Sequence, residues 1–183
     1  VPVVFAAVAI PEAAGCKSLT ESGPGFTGST LYMDMGNAFK IVKLAFPTLK
    51  TLAVVYSDDE NAVAHVEEAK KHAPSAGYRI ISRQVGSKSD KITPYAMELL
   101  DEGADSFFIP LDTYYGLRDY EACKDLLKIG DATDQPGISF VLMKFPGACL
   151  YVGSDFGISG AMSARQAVKI MKEGVKPETL PIA

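Results

Sequence analysis

Leu52-Ala53-Val54-Val55-Tyr56 runs unbroken into Ser57-Asp58-Asp59, and a helix-patterned stretch, residues 61–76, follows. The same unit recurs downstream. Residues 80–85 lead into Gly86-Ser87, residues 107–110 into Leu111-Asp112-Thr113, and residues 138–142 into Met143-Lys144. Short apolar runs alternating with polar turns and amphipathic helices are the pattern of a parallel sheet covered on both faces. With a last strand at 149–152 and a helix over 159–173, residues 51–175 are predicted to run β-α-β-α-β-α-β-β-α. That is an α/β fold, an open parallel sheet of about five strands with helices on both faces. In such sheets ligands sit outside the carboxyl ends of the strands, so these turns are the functional address.

Working outward, residues 2–8 read as a further strand and residues 12–33 as a glycine-rich loop stretch. Residues 36–46 are apolar on nearly every side, so that helix is either deeply packed or covered by something else. Within the helices, Val63, Val66, Ala69 and Ala73 form one expected inner stripe, and Leu117, Tyr120, Cys123 and Leu126 another, on a helix over 116–129. Ser89 or Asp90 is expected to cap a helix with Pro94 in its first turn. In the last helix Ala161, Ala164, Val168 and Met171 are expected to face inward.

The chain has 183 residues, 48% hydrophobic and 22% charged, with a formal net charge of −4. These are values of a globular domain. No basic stripe with interleaved aromatics is present, so no nucleic-acid partner is expected. The longest apolar runs are about ten residues, half of a membrane span. Cys16, Cys123 and Cys149 lie far apart without a CxxC pair, which argues against a zinc site or redox pair. Cys123 reads as buried filler, and one bridge between two distant cysteines stays open. Ala13-Ala14-Gly15-Cys16 has the look of a lipoprotein cleavage box, but no positive segment precedes it, and residues 1–10 read better as a strand. Both ends of the sequence read as cut from a longer chain.

No enzyme motif emerges. GxGxxG, GxxxxGK[ST] and GxSxG are all missing. His65 and His72 are expected to face solvent rather than a metal, and Asp58 and Asp59 read as turn and cap residues. No cofactor and no metal are expected. The turns do suggest recognition. Ser57, Asp58, Asp112, Thr113, Tyr114 and Asp155 would converge on one sheet edge, where carboxylates hold an ammonium, hydroxyls orient the ligand and helix N-termini accept a carboxylate. Tyr114, Tyr115 and Phe156 would add aromatic walls. The plainer alternative is that each Asp only caps the helix after it.

Pro2-Val3-Val4-Phe5-Ala6-Ala7-Val8, Pro11, Ala13-Ala14-Gly15 and Phe26-Thr27-Gly28, in that order, resemble ABC-type uptake substrate-binding proteins of the tryptophan/tyrosine-binding type. Residues 51–56, 60–66, 109–113, 147–156 and 164–177 are similar to successive later segments of that family. The resemblance implies a type I periplasmic-binding fold, two α/β lobes closing over a small amino-acid-like ligand without chemistry. It implies residues 1–50 as a partial first lobe, 51–175 as the second lobe and 176–183 as the start of a connection back. It further implies a membrane permease as partner and a periplasmic or extracellular location, with any lipid anchor on a segment outside this sequence. An exposed apolar face could also pair with another copy. The sequence departs from the family pattern at Ala9-Ile10, Ser57-Asp58 and Asp112-Thr113-Tyr114. The same fold serves ligand-sensing domains of transcriptional or two-component regulators, the alternative function.

Overall fold

The computed structural model describes residues 1–141 and 145–183. The chain divides into two compact units, Val1–Met33 with Ser154–Ala183, and Asp34–Gly153. The divisions expected at 50/51 and 175/176 are displaced, for reasons that lie in helix packing.

The second unit holds β3 (Thr51–Tyr56), β4 (Arg79–Gln84), β5 (Ser106–Ile109), β6 (Gly137–Ser139) and β7 (Leu150–Tyr151); the first holds β1 (Val3–Val8) and β2 (Phe26–Thr30). The second unit's strands form one sheet in the order β4-β3-β5-β6-β7, every neighbouring pair parallel. The expected element order for residues 51–175 is the one observed. The turn at Met143-Lys144 lies outside the described residues.

Successive residues of a strand point to opposite faces, and β3 shows this. Ala53 and Val55 join Phe107 and Ile109 of β5 in a core with Ile92, Ala96, Leu99, Cys123 and Leu126. Those partners come from α3 (Thr93–Asp101) and α4 (Glu121–Thr133), apart from Ile92, which caps α3. On the other face Phe108 meets Phe140, which packs edge-on to Phe39 and against His65. Phe39 lies on α1 (Met35–Ala45) and His65 on α2 (Glu60–His72). Thus α1 belongs to the second unit, because Met35, Ala38, Phe39 and Val42 are buried there. Its opposite side, Ile41 and Leu44, is exposed.

Three helices of the second unit depart from the expected pattern. In α2 the buried residues are Ala62, His65, Val66 and Ala69, while Val63 is exposed, so the inner face includes His65. The expectation that both histidines face solvent is corrected for His65, since its ring nitrogen accepts a backbone hydrogen bond inside the unit. His72 stays half-exposed beside Glu68. In α3 neither Ser89 nor Asp90 is the cap; Ile92 is, and Asp90 instead accepts from Ser87 N and Tyr95 Oη. Helix α4 begins at Glu121 because Arg118, Asp119 and Tyr120 all adopt left-handed backbone, with φ of 50°, 53° and 60°. Leu117 is left exposed by that delay.

In the first unit β1 and β2 pair in parallel, with a register shift between Phe5 and Val8. A Cβ at Gly28 would stand 2.3 Å from the Phe5 carbonyl oxygen, so only glycine permits this approach. α5 (Phe156–Glu173) packs on both strands. It buries Ser159, Ser163 and Gln166, not the expected Ala161, Ala164, Val168 and Met171, which are exposed. Hydrogen bonding decides this. Ser29 Oγ lies 2.7 Å from Ser159 Oγ and 2.6 Å from Ser163 Oγ, and Ser163 donates to the Phe5 carbonyl at 2.8 Å. Ala183 completes the edge, bonding to Gly28 O and Thr30 N in the pattern of a parallel bridge.

Candidate functional site

The carboxyl ends of β3, β4 and β5 are tied to one another by side chains from the turns that follow them. Ser57 follows β3 and is fully buried. Its backbone N–H donates to Asp112 Oδ2 at 2.7 Å and its hydroxyl to Asp112 Oδ1 at 2.7 Å. Asp112 Oδ1 also accepts from Tyr114 N at 2.8 Å. Asp112 is therefore a buried clamp between the turns after β3 and β5, its two oxygens occupied by three neutral donors.

Above it lies a second tie. Asp59 Oδ1 caps α2 by accepting from Asn61 N, while its Oδ2 accepts from the Thr113 hydroxyl at 2.9 Å. Lys88, from the turn after β4, reaches Thr113 Oγ1 at 3.3 Å and Asp59 Oδ2 at 3.5 Å. Arg118 adds a third, donating to the Lys88 and Asp90 carbonyls. Three turns so linked make a defined rim. Asp58 stands in this rim exposed, between buried Ser57 and the capping Asp59.

Other groups fall differently. Tyr114 and Tyr115 are wholly buried, stacked edge-on at 5.5 Å, so neither ring forms an accessible wall. Their hydroxyls donate to Asp90 O and Val55 O. Burial pushes the Tyr114 hydroxyl up to about 12 and that of Tyr115 well above its ordinary value. Asp155 and Phe156 belong to the first unit. Asp155 caps α5, accepting from Ile158 N at 2.9 Å, and Phe156 is partly exposed. The rim of the second unit is thus built from Ser57, Asp58, Asp112 and Thr113 of the expected set.

Sequence reasoning missed Lys88 and His65. Lys88 sits in a turn that the strand pattern did name, but its neighbours there are Ser and Gly, and no residue of that turn was singled out. His65 Nδ1 accepts from Leu111 N at 3.0 Å, just past Pro110, which has no N–H of its own. Burial lowers the His65 pKa to about 4, partly offset by nearby Glu68. The ring is therefore neutral with its proton on Nε2, and it holds the start of the Asp112 turn.

A cavity of about 600 Å³ opens at the other edge of the second unit, where the strands begin, lined by Leu49, Asp105, Asp131, Asp134, Pro136 and Cys149. Its Asp105 is committed to Lys50 N and Thr51 N. All three cysteines are free. Among the described residues no cluster of His, Cys, Asp and Glu could hold a metal ion, and no helix is long and apolar enough to cross a membrane.

This architecture recurs in proteins of known structure. The ABC domain of a Streptococcus pneumonia protein, solved in complex with L-Trp, shares the fold with a TM-score of 0.81 over 99% of this chain and 60% of its own, at 22% identity. The ligand-free, open structure of a substrate-binding protein with adhesive properties from Clostridium difficile matches with a TM-score of 0.68 over 100% of this chain and 61% of its own, at 23% identity. A tyrosine-binding protein of Clostridioides difficile (strain R20291) is 25% identical over 114 residues, 61% of this chain. The chain spans 32% of that relative's length. The neighbours fix the architecture as type I periplasmic-binding-like. Residues 1–183 match throughout the model of the ABC transporter substrate binding protein family, and the chain belongs to that family, one of substrate-binding proteins rather than enzymes.

Proposed function

We propose that this chain is the binding component, or part of it, of an ABC uptake transporter, and that it holds a small amino-acid-like ligand at the strand-end rim of the second unit. The ligand is passed unchanged to a membrane permease, which implies a periplasmic or extracellular site of action. An aromatic side chain on the ligand is favoured by the tyrosine-binding relative. The observation that carries the reading is the buried Ser57–Asp112 clamp beneath the Asp59–Thr113–Lys88 tie. It fixes three turns in one place at the edge where open α/β sheets take ligands. The exposed Asp58 carboxylate and the α2 N-terminus supply polar contacts. Isothermal titration of the chain with L-tyrosine, L-tryptophan and the other L-amino acids tests this. Saturable binding that weakens on Asp112→Ala is expected; heat changes indistinguishable from dilution for every amino acid contradict it.

A further inference from the structure

The first unit encloses a hollow of its own, apart from the rim of the second. Residues 17–22 and 178–181 wall a cavity of about 250 Å³. Both walls are set by hydrogen bonds to the backbone. Lys17 N and Ser18 N donate to Glu21 O, and Ser18 Oγ accepts from Thr20 N and Glu21 N. The opposite wall starts in a single 3-10 turn, Pro177–Thr179. It is tied down by Thr27 Oγ1 donating to Leu180 O at 3.0 Å and Gln166 Nε2 donating to Pro181 O at 2.7 Å. Ile182 N, donating to Thr20 O at 2.9 Å, joins the two walls.

Ser22 lines this cavity and is 3% exposed, and its hydroxyl has no hydrogen-bond partner among the described residues. Buried hydroxyls are bonded as a rule, because burial strips them of water. Charges of both signs stand in the same walls. Lys17 and Glu21 are exposed, and among the described residues neither forms an ion pair. Glu178 accepts from Gly25 N at 3.4 Å. Its own backbone N–H holds its carboxyl below the usual carboxylate range, with Gly25 N–H and Lys176 adding to the effect. One ammonium, two carboxylates and a spare hydroxyl suit a ligand that itself carries both charges. The volume falls short of the roughly 300 Å³ at which sites for drug-sized ligands begin, so the ligand is small.

We propose that this hollow is a second ligand site, formed wholly by the first unit, for a small zwitterion of the short-chain amino-acid class. The ligand carboxylate pairs with Lys17 and accepts from the Ser22 hydroxyl, and its ammonium donates to Glu21 and Glu178. Leu180 and Pro181 give a short side chain an apolar wall.

The test is calorimetric titration of the whole chain with glycine, with acetate (no ammonium) and with methylammonium (no carboxylate). Glycine should bind, and each half-ligand should bind roughly ten- to a hundredfold more weakly, the ratio for one charge-assisted hydrogen bond. Lys17→Met should weaken glycine by a similar factor and Ser22→Ala by roughly three- to tenfold, the ratio for a neutral hydrogen bond. The Ser22 hydroxyl bonds to nothing in the chain, so Ser22→Ala should melt no lower than the parent, which separates lost binding from lost fold. Acetate or methylammonium binding as tightly as glycine overturns the zwitterion. Glycine binding indifferent to both variants lies elsewhere and overturns the site. No heat from glycine leaves Ser22 to water alone and overturns the proposal as a whole.

Discussion

Asp112 and Asp58 are separated by exposure, and their substitutions should separate too. Removing the Asp112 carboxylate strands Ser57 N and Tyr114 N without acceptors in the interior, which costs about 3 kcal/mol in all. Asp58 is exposed, so Asp58→Ala should change stability by less than about 0.5 kcal/mol. Urea denaturation of the two variants checks this, and equal losses would contradict the clamp. His65 predicts a pH dependence. Its pKa falls from 6.5 to about 4 on burial, so it folds neutral. Its contribution is fully present above pH 6.5 and is lost as pH falls toward 4, because the unfolded chain takes up the proton first. At pH 5 the loss is about 2 kcal/mol. His65→Gln keeps a side-chain acceptor but cannot titrate, and its stability measured at pH 7.5 and pH 5 should differ less than that of the parent.

At the level of elements, the seat of α5 depends on hydroxyls. Ser29 meets both Ser159 and Ser163 in a buried seam, so Ser29→Ala should cost about 1–2 kcal/mol by leaving their hydroxyls under-bonded. Gly28→Ala should cost more, since the new methyl would stand 2.3 Å from the Phe5 backbone oxygen and 2.5 Å from its ring. Thermal melts of both variants test the order. These features explain what sequence could reveal. Strand positions and the order of elements were legible because hydrophobic period and turn residues are local signals. The inner face of α5 was not, since a periodicity argument assigns burial to Ala, Val and Met, whereas Ser159 and Ser163 are drawn in by acceptors on other elements. The late start of α4 was hidden for a similar reason, as none of Arg118, Asp119 and Tyr120 is the glycine that marks left-handed backbone. Within the site, Ser57, Asp112 and Thr113 were readable from their turns. The roles of Lys88 and His65 were not, since each acts on a residue remote in sequence.

At the level of the molecule, sequence placed the unit boundaries inside connecting turns, but helix packing draws them elsewhere: α1 joins the second unit and α5 the first. An apolar stripe announces that a helix is covered without naming what covers it. Residues 34–153 contain a five-stranded sheet with helices on both faces and a closed core. Expressed alone they should fold cooperatively, with a single sharp urea transition and a native-like near-ultraviolet circular dichroism spectrum; a broad, featureless transition would show that they depend on the rest of the chain. The first unit is drawn from the two ends of the sequence, and that has a consequence for biosynthesis. Strands β1 and β2 leave the ribosome before the second unit, whereas the helix that covers them follows it. The intervening lobe can mature in the meantime, domains generally folding as units during synthesis. Until α5 has been synthesised, the nascent polypeptide carries an uncovered pair of strands, and that interval is where it most needs a chaperone.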